Sequence, residues 1–286
     1  MKKVAILITC HNRKDKTLDC LDHLYTNIKD VNDFLAIDTY LTDDGSTDGT
    51  SNEVKKKFPE VKIIAGNGSL FWAGGMRMAW EYAAQKNDYN YYIWLNDDTI
   101  IHDHAVRELF DDYNEGCSIY KKDGIITAAC CNSHGDFSYG GRNKGNVIKP
   151  NNTIQRCILI NGNYVLIPQA VFSKIGNLDK HFTHGIADYS YGLTAIENGF
   201  ECWTTKKYLA TCEQNDCPRW CSPQTPLKER IKLLHSPKGI NIEEYLYYIK
   251  KHKLGFVFWI RIKIHFRAFF PMLYSFFKEK TQNVPG

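Results

Sequence analysis

The stretch Tyr91-Tyr92-Ile93-Trp94-Leu95-Asn96-Asp97-Asp98-Thr99-Ile100-Ile101 runs apolar, breaks into an amide and two adjacent carboxylates, and turns apolar again. Neighbouring carboxylates at the tip of an aromatic strand repel each other and are costly to desolvate. A divalent cation relieves both problems, because hard cations such as Mg2+ and Mn2+ prefer oxygen ligands. A cation held there could in turn neutralise a diphosphate. Three other segments carry related chemistry. Asp43-Asp44-Gly45-Ser46-Thr47-Asp48-Gly49-Thr50 suits a turn in which Asp48 or Thr50 caps a helix. Capping leaves Asp43 and Asp44 over, and carboxylates at a strand end can accept hydrogen bonds from a ribose or a base N–H. Residues 66–77 form a glycine-rich loop entering a helix, matching neither the dinucleotide fingerprint nor the P-loop. Its Gly68, Gly74 and Gly75 permit close approach of a ligand, and Arg77 is either a phosphate partner or an ordinary exposed arginine. Asp188, in His184-Gly185-Ile186-Ala187-Asp188-Tyr189-Ser190-Tyr191-Gly192, serves a helix start or acts as a catalytic base.

Alternating elements must position these groups. Apolar patterning predicts strands over residues 4–9, 34–41, 61–65 and 91–95, and helices over 16–26, 50–58, 74–85 and 104–113. That rhythm predicts an α/β fold with a mainly parallel sheet and helices on both faces. Ligands of such sheets bind beyond the carboxyl ends of the strands, where each polar cluster falls. Further strands are expected over 124–131 and 156–167, a loop or hairpin over 132–153, a helix over 186–198 and a proline-rich loop over 212–226.

The 286 residues suffice for one large domain and an appendage, divided here as 1–225 and 226–286. The amino-terminal apolar segment is too short for a signal peptide and reads as a buried strand, which predicts a cytoplasmic protein. The ten cysteines then read as reduced, mostly core residues; Cys212, Cys217 and Cys221 have spacing that suits a cysteine-rich loop better than a zinc site. Residues 226–286 hold 12 Lys and Arg against 4 Asp and Glu, whereas the body is mildly acidic. A basic tail points to an anionic surface. Within it, residues 254–277 are long enough to span a bilayer. Arg261, Lys263 and Arg267 near the middle argue against spanning, since each charge at mid-bilayer costs on the order of ~3 kcal/mol. The segment is expected either to lie in a headgroup layer or to pack on protein, this chain's own or a second copy's.

With Ile8-Thr9-Cys10-His11-Asn12-Arg13, Phe71-Trp72-Ala73-Gly74-Gly75 and Ser236-Pro237-Lys238-Gly239, the segments above resemble, in order and spacing, the family 2 glycosyltransferases of the GT-A fold. The likeness runs from residue 3 to about residue 250, and within the family it is similar to the bacterial rhamnosyltransferase-like branch that builds surface polysaccharides. The resemblance implies that Thr9, Asp43 and Asp44 hold the nucleoside. It implies that His11, Asn12, Arg13, Gly68, Gly74, Gly75, Arg77, Asn96 and Asp97 complete the nucleotide site. Asp98 is the implied ligand of Mg2+ or Mn2+, and Asp188 the implied general base. Trp72, Asn161, Gly162, His184 and Gly185 are the implied sugar-site residues. Three positions depart from the family pattern: Asn96 replaces the first Asp of D-x-D, Ala187 the Glu before the base, and Ser190 a further Asp. Cys212 lies near the point where many relatives carry a late metal-binding His.

The implied reaction is inverting transfer of a sugar from a UDP- or dTDP-linked donor to a glycan or lipid-linked oligosaccharide, in lipopolysaccharide or capsule synthesis. The implied place is the inner face of the cell membrane. No nucleic-acid partner is expected; a homodimer is an assembly to test. Two alternatives stay open. A sugar nucleotidyltransferase would open with a glycine-rich basic loop, and Thr9–Arg13 has no glycine. A non-catalytic sugar-nucleotide-binding module would keep the fold and lose the chemistry.

Overall fold

The computed structural model describes residues 1–143, 146–214 and 218–273. The chain divides into two compact units, Met1–Thr183 with Ala187–Gln214, and His184–Ile186 with Asn215–Gly286.

The first unit opens with β1 (Lys2–Cys10), α1 (Lys14–Lys29), β2 (Leu35–Asp43), α2 (Thr50–Lys57), β3 (Lys62–Ala65), α3 (Phe71–Lys86) and β4 (Tyr91–Leu95). It continues through β5 (Ile100–Ile101), α4 (Ala105–Tyr120), β6 (Gly124–Cys131), β7 (Phe137–Tyr139), β8 (Arg142–Asn143), β9 (Asn146–Val147) and β10 (Gln155–Arg156). It closes with β11 (Tyr164–Pro168), α5 (Gln169–Ile175), α6 (Ala187–Glu197) and β12 (Glu201–Thr211). The main sheet has the order β10-β12-β6-β11-β4-β1-β2-β3. Strands β3, β2, β1 and β4 run parallel, β11 lies antiparallel between β4 and β6, and β12 is parallel to β6. Helices cover both faces, so β1 is buried without a break from Val4 to Cys10. That is why it reads as a continuous apolar run rather than an alternating one.

Two differences from expectation have local causes. The strand expected over 156–167 is split into β10 and β11. Between them Asn161-Gly162-Asn163 leaves the ladder, and the Asn161 carbonyl accepts from Thr127 Oγ1 at 2.9 Å. Helix α4 runs past the expected end at 113 and on through Gly116 to Tyr120. There the glycine serves packing rather than termination, since a Cβ at Gly116 would stand 2.8 Å from the Trp203 ring.

The second unit contains a 3-10 turn (Arg219–Cys221) and helices α7 (Leu227–Leu234), α8 (Ile242–Lys251) and α9 (Val257–Phe269). Trp220, Leu234, Ile242, Leu246, Ile264 and Ala268 form its core. Thus one face of α9 packs against this unit's own helices. Among the described residues no helix is long and apolar enough to cross a membrane. Cys217 and residues 274–277 of the basic segment lie outside the described residues.

Candidate functional site

The chain leaves β1 for β2 on one side and reaches β4 on the other, so strand order reverses at β1. A crevice at the carboxyl ends of the strands is expected at such a reversal. The ends of β1, β2 and β4 deliver Thr9–Arg13, Asp43–Asp44 and Asn96–Asp98 to this edge. The loop after β1 is fixed to the loop after β2. Asn12 adopts a left-handed φ of 50°. Its backbone N–H donates to Ser46 Oγ (2.9 Å) and its Oδ1 accepts from the Thr47 N–H (2.7 Å). His11 Nδ1 donates to the Asp44 carbonyl at 2.6 Å. Asp48 accepts from Thr50 N–H and Lys14 N–H, the first residues of α2 and α1, so one carboxylate ties two helix starts together.

The adjacent acids Asp43 and Asp44 have different surroundings. Asp44 holds the glycine-rich loop: Oδ1 accepts from Gly68 N–H (2.7 Å), and Oδ2 from Leu70 N–H (2.9 Å) and Phe71 N–H (3.0 Å). Asp43 accepts from Ser46 N–H (2.8 Å) and from Ser51 Oγ. It lines a cavity of about 360 Å³ with Gly45, Thr47, Asn52, Ala65 and Gly66, a volume within the range of small-molecule sites. A wider concavity of about 560 Å³, around Lys2, Phe34 and Asn90, carries none of the expected site residues. Thr9 lies under α3, where a Cβ at Gly75 would stand 2.0 Å from its hydroxyl. Gly75 is therefore required by the approach of helix to strand. Gly74 faces Leu70, with Arg77 Nη2 3.7 Å from where its Cβ would be.

The acid pair after β4 already holds a cation of the protein's own. Arg13 Nη1 donates to Asp97 Oδ1 (3.1 Å) and to Asp98 Oδ2 (2.7 Å). Burial pushes the Asp97 carboxyl up to about 7; Arg13 opposes that rise and Asp98 adds to it. Asp97 Oδ2 is buried without a hydrogen-bond partner. Two carboxylates bridged by a positive charge, one with an orphaned oxygen, fit a divalent cation. Among the described residues there is no cluster of three or more His, Cys, Asp or Glu that could complete a protein cage. Mg2+ is commonly held by one or two carboxylates together with substrate phosphates.

Asn96 turns away from the acids and joins β4 to Trp72 and Asn163. Its Oδ1 accepts from Trp72 Nε1 (2.6 Å), and its Nδ2 donates to Asn163 Oδ1 (2.6 Å). Asn163 Nδ2 in turn donates to Cys212 Sγ at 3.3 Å, and Cys20 Sγ–H to the Asn96 carbonyl at 3.4 Å. An amide supplies both the donor and the acceptor that this position uses; a carboxylate supplies acceptors alone. The Trp72 ring lies against Gly162, where a Cβ would come within 2.5 Å of it and 3.5 Å of Asp188 Cβ. Asp188 Oδ2 accepts from Gly162 N–H (2.9 Å) and Oδ1 from Tyr189 N–H (2.8 Å). Desolvation lifts the Asp188 carboxyl to about 6 against these two bonds. Asp188, Gly162, Trp72 and Asn96 are thereby in contact, with the acid pair next in the chain after Asn96. Gly162→Ala should displace the Trp72 ring and lower turnover more than thermal stability, checked by kinetics and thermal melts on the same preparation.

Other expected residues are placed elsewhere. Arg77 Nη1 donates to the carbonyls of Asp179 (3.2 Å) and Phe182 (3.4 Å), which fixes the turn ahead of α6. His184 and Gly185 belong to the second unit and are exposed. Ala187 and Ser190 are both buried, so an acid at either position would be desolvated. Asn163 and Cys20 join the network around Asn96 although the sequence gives neither a site role. The polar triplet Asn161-Gly162-Asn163 after an apolar run was the one available signal for Asn163.

The raised carboxyls also set a pH dependence of stability. Both lie above their ordinary 3.8, so the folded state binds these protons more tightly than the unfolded state. Their contribution is full below about pH 4 and is lost as pH rises through about 6 for Asp188 and about 7 for Asp97. In cation-free buffer the thermal midpoint should decline across that window, and Asp97→Asn should make the decline shallower.

Residues 5–127 match Glycosyl transferase family 2. They include the loops after β1, β2 and β4, whereas Asp188 and the Asn161–Asn163 turn follow the matched region. Mannosyltransferase PcManGT from Pyrobaculum calidifontis, solved with GDP-Man and Mn2+, is similar with a TM-score of 0.56 and 12% identity over 93% of this chain and 69% of that one. S. aureus TarS 1-349 with UDP is similar with a TM-score of 0.53 and 13% identity, over 89% of this chain and 72% of that one. Its complex with UDP-GlcNAc gives 0.52 and 12%, over 88% and 72%. The shared architecture is the GT-A fold, a mostly parallel central sheet with flanking helices. No curated protein sequence matches the chain.

Proposed function

We propose that this protein is an inverting, cation-assisted glycosyltransferase that moves a sugar from a nucleoside-diphosphate donor to an acceptor hydroxyl. The observation that carries the reading is the line of contacts from Asp188, which accepts from Gly162 N–H, through the Trp72 ring packed on Gly162 to Asn96, which accepts from Trp72 Nε1 next to the Asp97–Asp98 pair. This supports reading Asp188 as the base and Asp97–Asp98 as the cation-binding pair, with the cavity lined by Asp43 taking the nucleoside.

In this reading Asp43 and Thr9 hold the nucleoside, and Asp44 acts indirectly by holding the loop over it. Asn12, His11 and Gly68 shape the same wall, with Gly74 and Gly75 bringing α3 close to β1. Asp98 and Asp97 would hold Mg2+ or Mn2+, which when bound supplies positive charge to the leaving diphosphate. Arg13, displaced from the acids, donates to phosphate oxygens. Asp188 removes the acceptor hydroxyl's proton as that oxygen bonds to the anomeric carbon; the bond from that carbon to the diphosphate oxygen breaks on the opposite face. Its raised pKa suits a base working near neutral pH. Trp72, Asn161 and Gly162 border the reacting sugars. We assign the catalytic domain to residues 1–225 and a helical extension to 226–286.

The donor we favour is UDP- or dTDP-linked, and the acceptor a glycan or lipid-linked oligosaccharide of a surface polysaccharide. The similar solved structures hold GDP-Man and UDP-GlcNAc, which supports the nucleotide-sugar class. A panel of nucleotide sugars, read by thermal shift with Mn2+ and then by release of nucleoside diphosphate with and without chelator, tests the reading. Release from none of the panel, with binding intact, would favour a non-catalytic sugar-nucleotide-binding module.

A further inference from the structure

Helix α9 carries two apolar faces. The inner one, Val257, Ile260, Ile264 and Ala268, packs into the core of the second unit. The other looks outward and holds large side chains: Phe258 is 67% exposed, Trp259 66%, Ile262 44%, Phe266 40% and Phe269 41%. At about 100° per residue these five fall within one arc of the helix, the inner four within the opposite one. The basic residues lie on the borders: Arg261 on one side, Lys263 and Arg267 on the other. In the linear sequence these charges argue against a membrane span. Once α7 and α8 claim the inner face, the same charges flank a second stripe. Before the helix, Phe256 is 82% exposed, and after it Met272 is 72% exposed.

We propose that this outward face of α9 docks in the plane of an anionic lipid surface. A contiguous exposed aromatic face is uncommon on a protein that meets only water. Aromatic and aliphatic side chains flanked by Lys and Arg match the acyl–headgroup boundary, where rings enter the interface and cations snorkel to phosphate. The charge argues for lipid rather than a neutral apolar partner. Residues 226–286 carry 12 basic and 4 acidic residues, although the rest of the chain is acidic on balance. Lys253 and Lys263 are exposed on or beside the helix. Arg261 also pairs with Glu243 through Nη1 and Nη2 at 2.8 and 2.9 Å, which ties the start of α8 to α9. The helix is not a detachable anchor: it supplies Ile264 and Ala268 to the unit's core, so point substitutions test the idea better than truncation.

The test is co-sedimentation of the full chain with phosphatidylcholine vesicles, with and without phosphatidylglycerol, at low and high salt. Phe258→Ser/Phe266→Ser and Lys263→Glu are the variants, with circular dichroism and thermal melts as folding controls. Wild type should bind the anionic vesicles roughly tenfold or more above the neutral ones, and salt should weaken binding as the Debye length shrinks. Each variant should lose roughly tenfold while staying folded, one through lost apolar insertion and the other through lost charge. Equal binding to both vesicles, or none to either, overturns the proposal. A lipid-free dimer dispersed by Phe258→Ser/Phe266→Ser, without vesicle binding, would instead assign the face to a second copy of the chain.

Discussion

Asp188→Asn should lower the rate of sugar transfer by roughly 10²–10⁴-fold, the range expected when a general base is removed. Donor affinity should stay nearly unchanged, because Asp188 does not border the cavity lined by Asp43. The substitution is not structurally silent. One carboxylate oxygen accepts from Gly162 N–H and the other from Tyr189 N–H. An amide has one oxygen, so one of those donors must face an NH2 group. That should cost about 1–3 kcal/mol of stability, visible as a lower thermal midpoint. Turnover must therefore be expressed per folded molecule at a temperature where both proteins are native. The wild-type pH profile gives an independent readout. The base works deprotonated, so kcat/KM should fall about tenfold per pH unit below the carboxyl's pKa of about 6. In the variant that limb should be absent. Turnover within a few-fold of wild type, or an unchanged acidic limb, would reduce Asp188 to a cap on the start of α6.

The strands could be read directly because their cause is local. Residues 4–10 are covered on both faces, and an unbroken apolar run is the signature of such a strand. The loops that follow β1, β2 and β4 were legible too, since polar clusters at strand ends stand out against that background. Partners chosen across the fold were not. Asp43 and Asp44 are indistinguishable in sequence, yet one lines a cavity and the other accepts three backbone donors from a loop about 25 residues on. Arg13 bridges carboxylates 84 and 85 residues away, which no local pattern could announce. Arg77 read from the sequence as either a phosphate partner or an ordinary exposed arginine, and the partners its guanidinium reaches, the carbonyls of Asp179 and Phe182, lie about 100 residues on. The same limit applies to α9, whose inner and outer faces are equally apolar and are told apart only by what packs on one of them. Asn96 makes the point in chemical terms. Read alone it is a defect in an acidic motif; beside Trp72 and Asn163 it is the residue that can accept from one and donate to the other.

The acid pair and its arginine lead to two substitutions with effects of opposite sign. Asp98→Ala should lower the cation-dependent affinity for UDP by roughly 100-fold, at the upper end of what losing a residue from a metal site's surroundings produces. Binding measured in chelator should change little, because Asp98 meets the nucleotide only through the cation in this reading. Arg13→Ala should do the reverse to the cation alone. The guanidinium sits 2.7 Å from Asp98 and 3.1 Å from Asp97, where it competes with any incoming ion for both carboxylates. Without it the two acids repel each other with no internal counter-charge, so Mn2+ should bind roughly tenfold more tightly in the absence of nucleotide. UDP affinity with saturating Mn2+ should nevertheless fall, since Arg13 is then no longer present to donate to phosphate. Calorimetric titrations of Mn2+ alone, and of UDP with Mn2+ or with chelator, resolve all four quantities. Unchanged cation-dependent UDP affinity in Asp98→Ala would remove that residue from the metal site. Weaker Mn2+ binding in Arg13→Ala would show that the guanidinium organises the carboxylates for the ion rather than occupying its place.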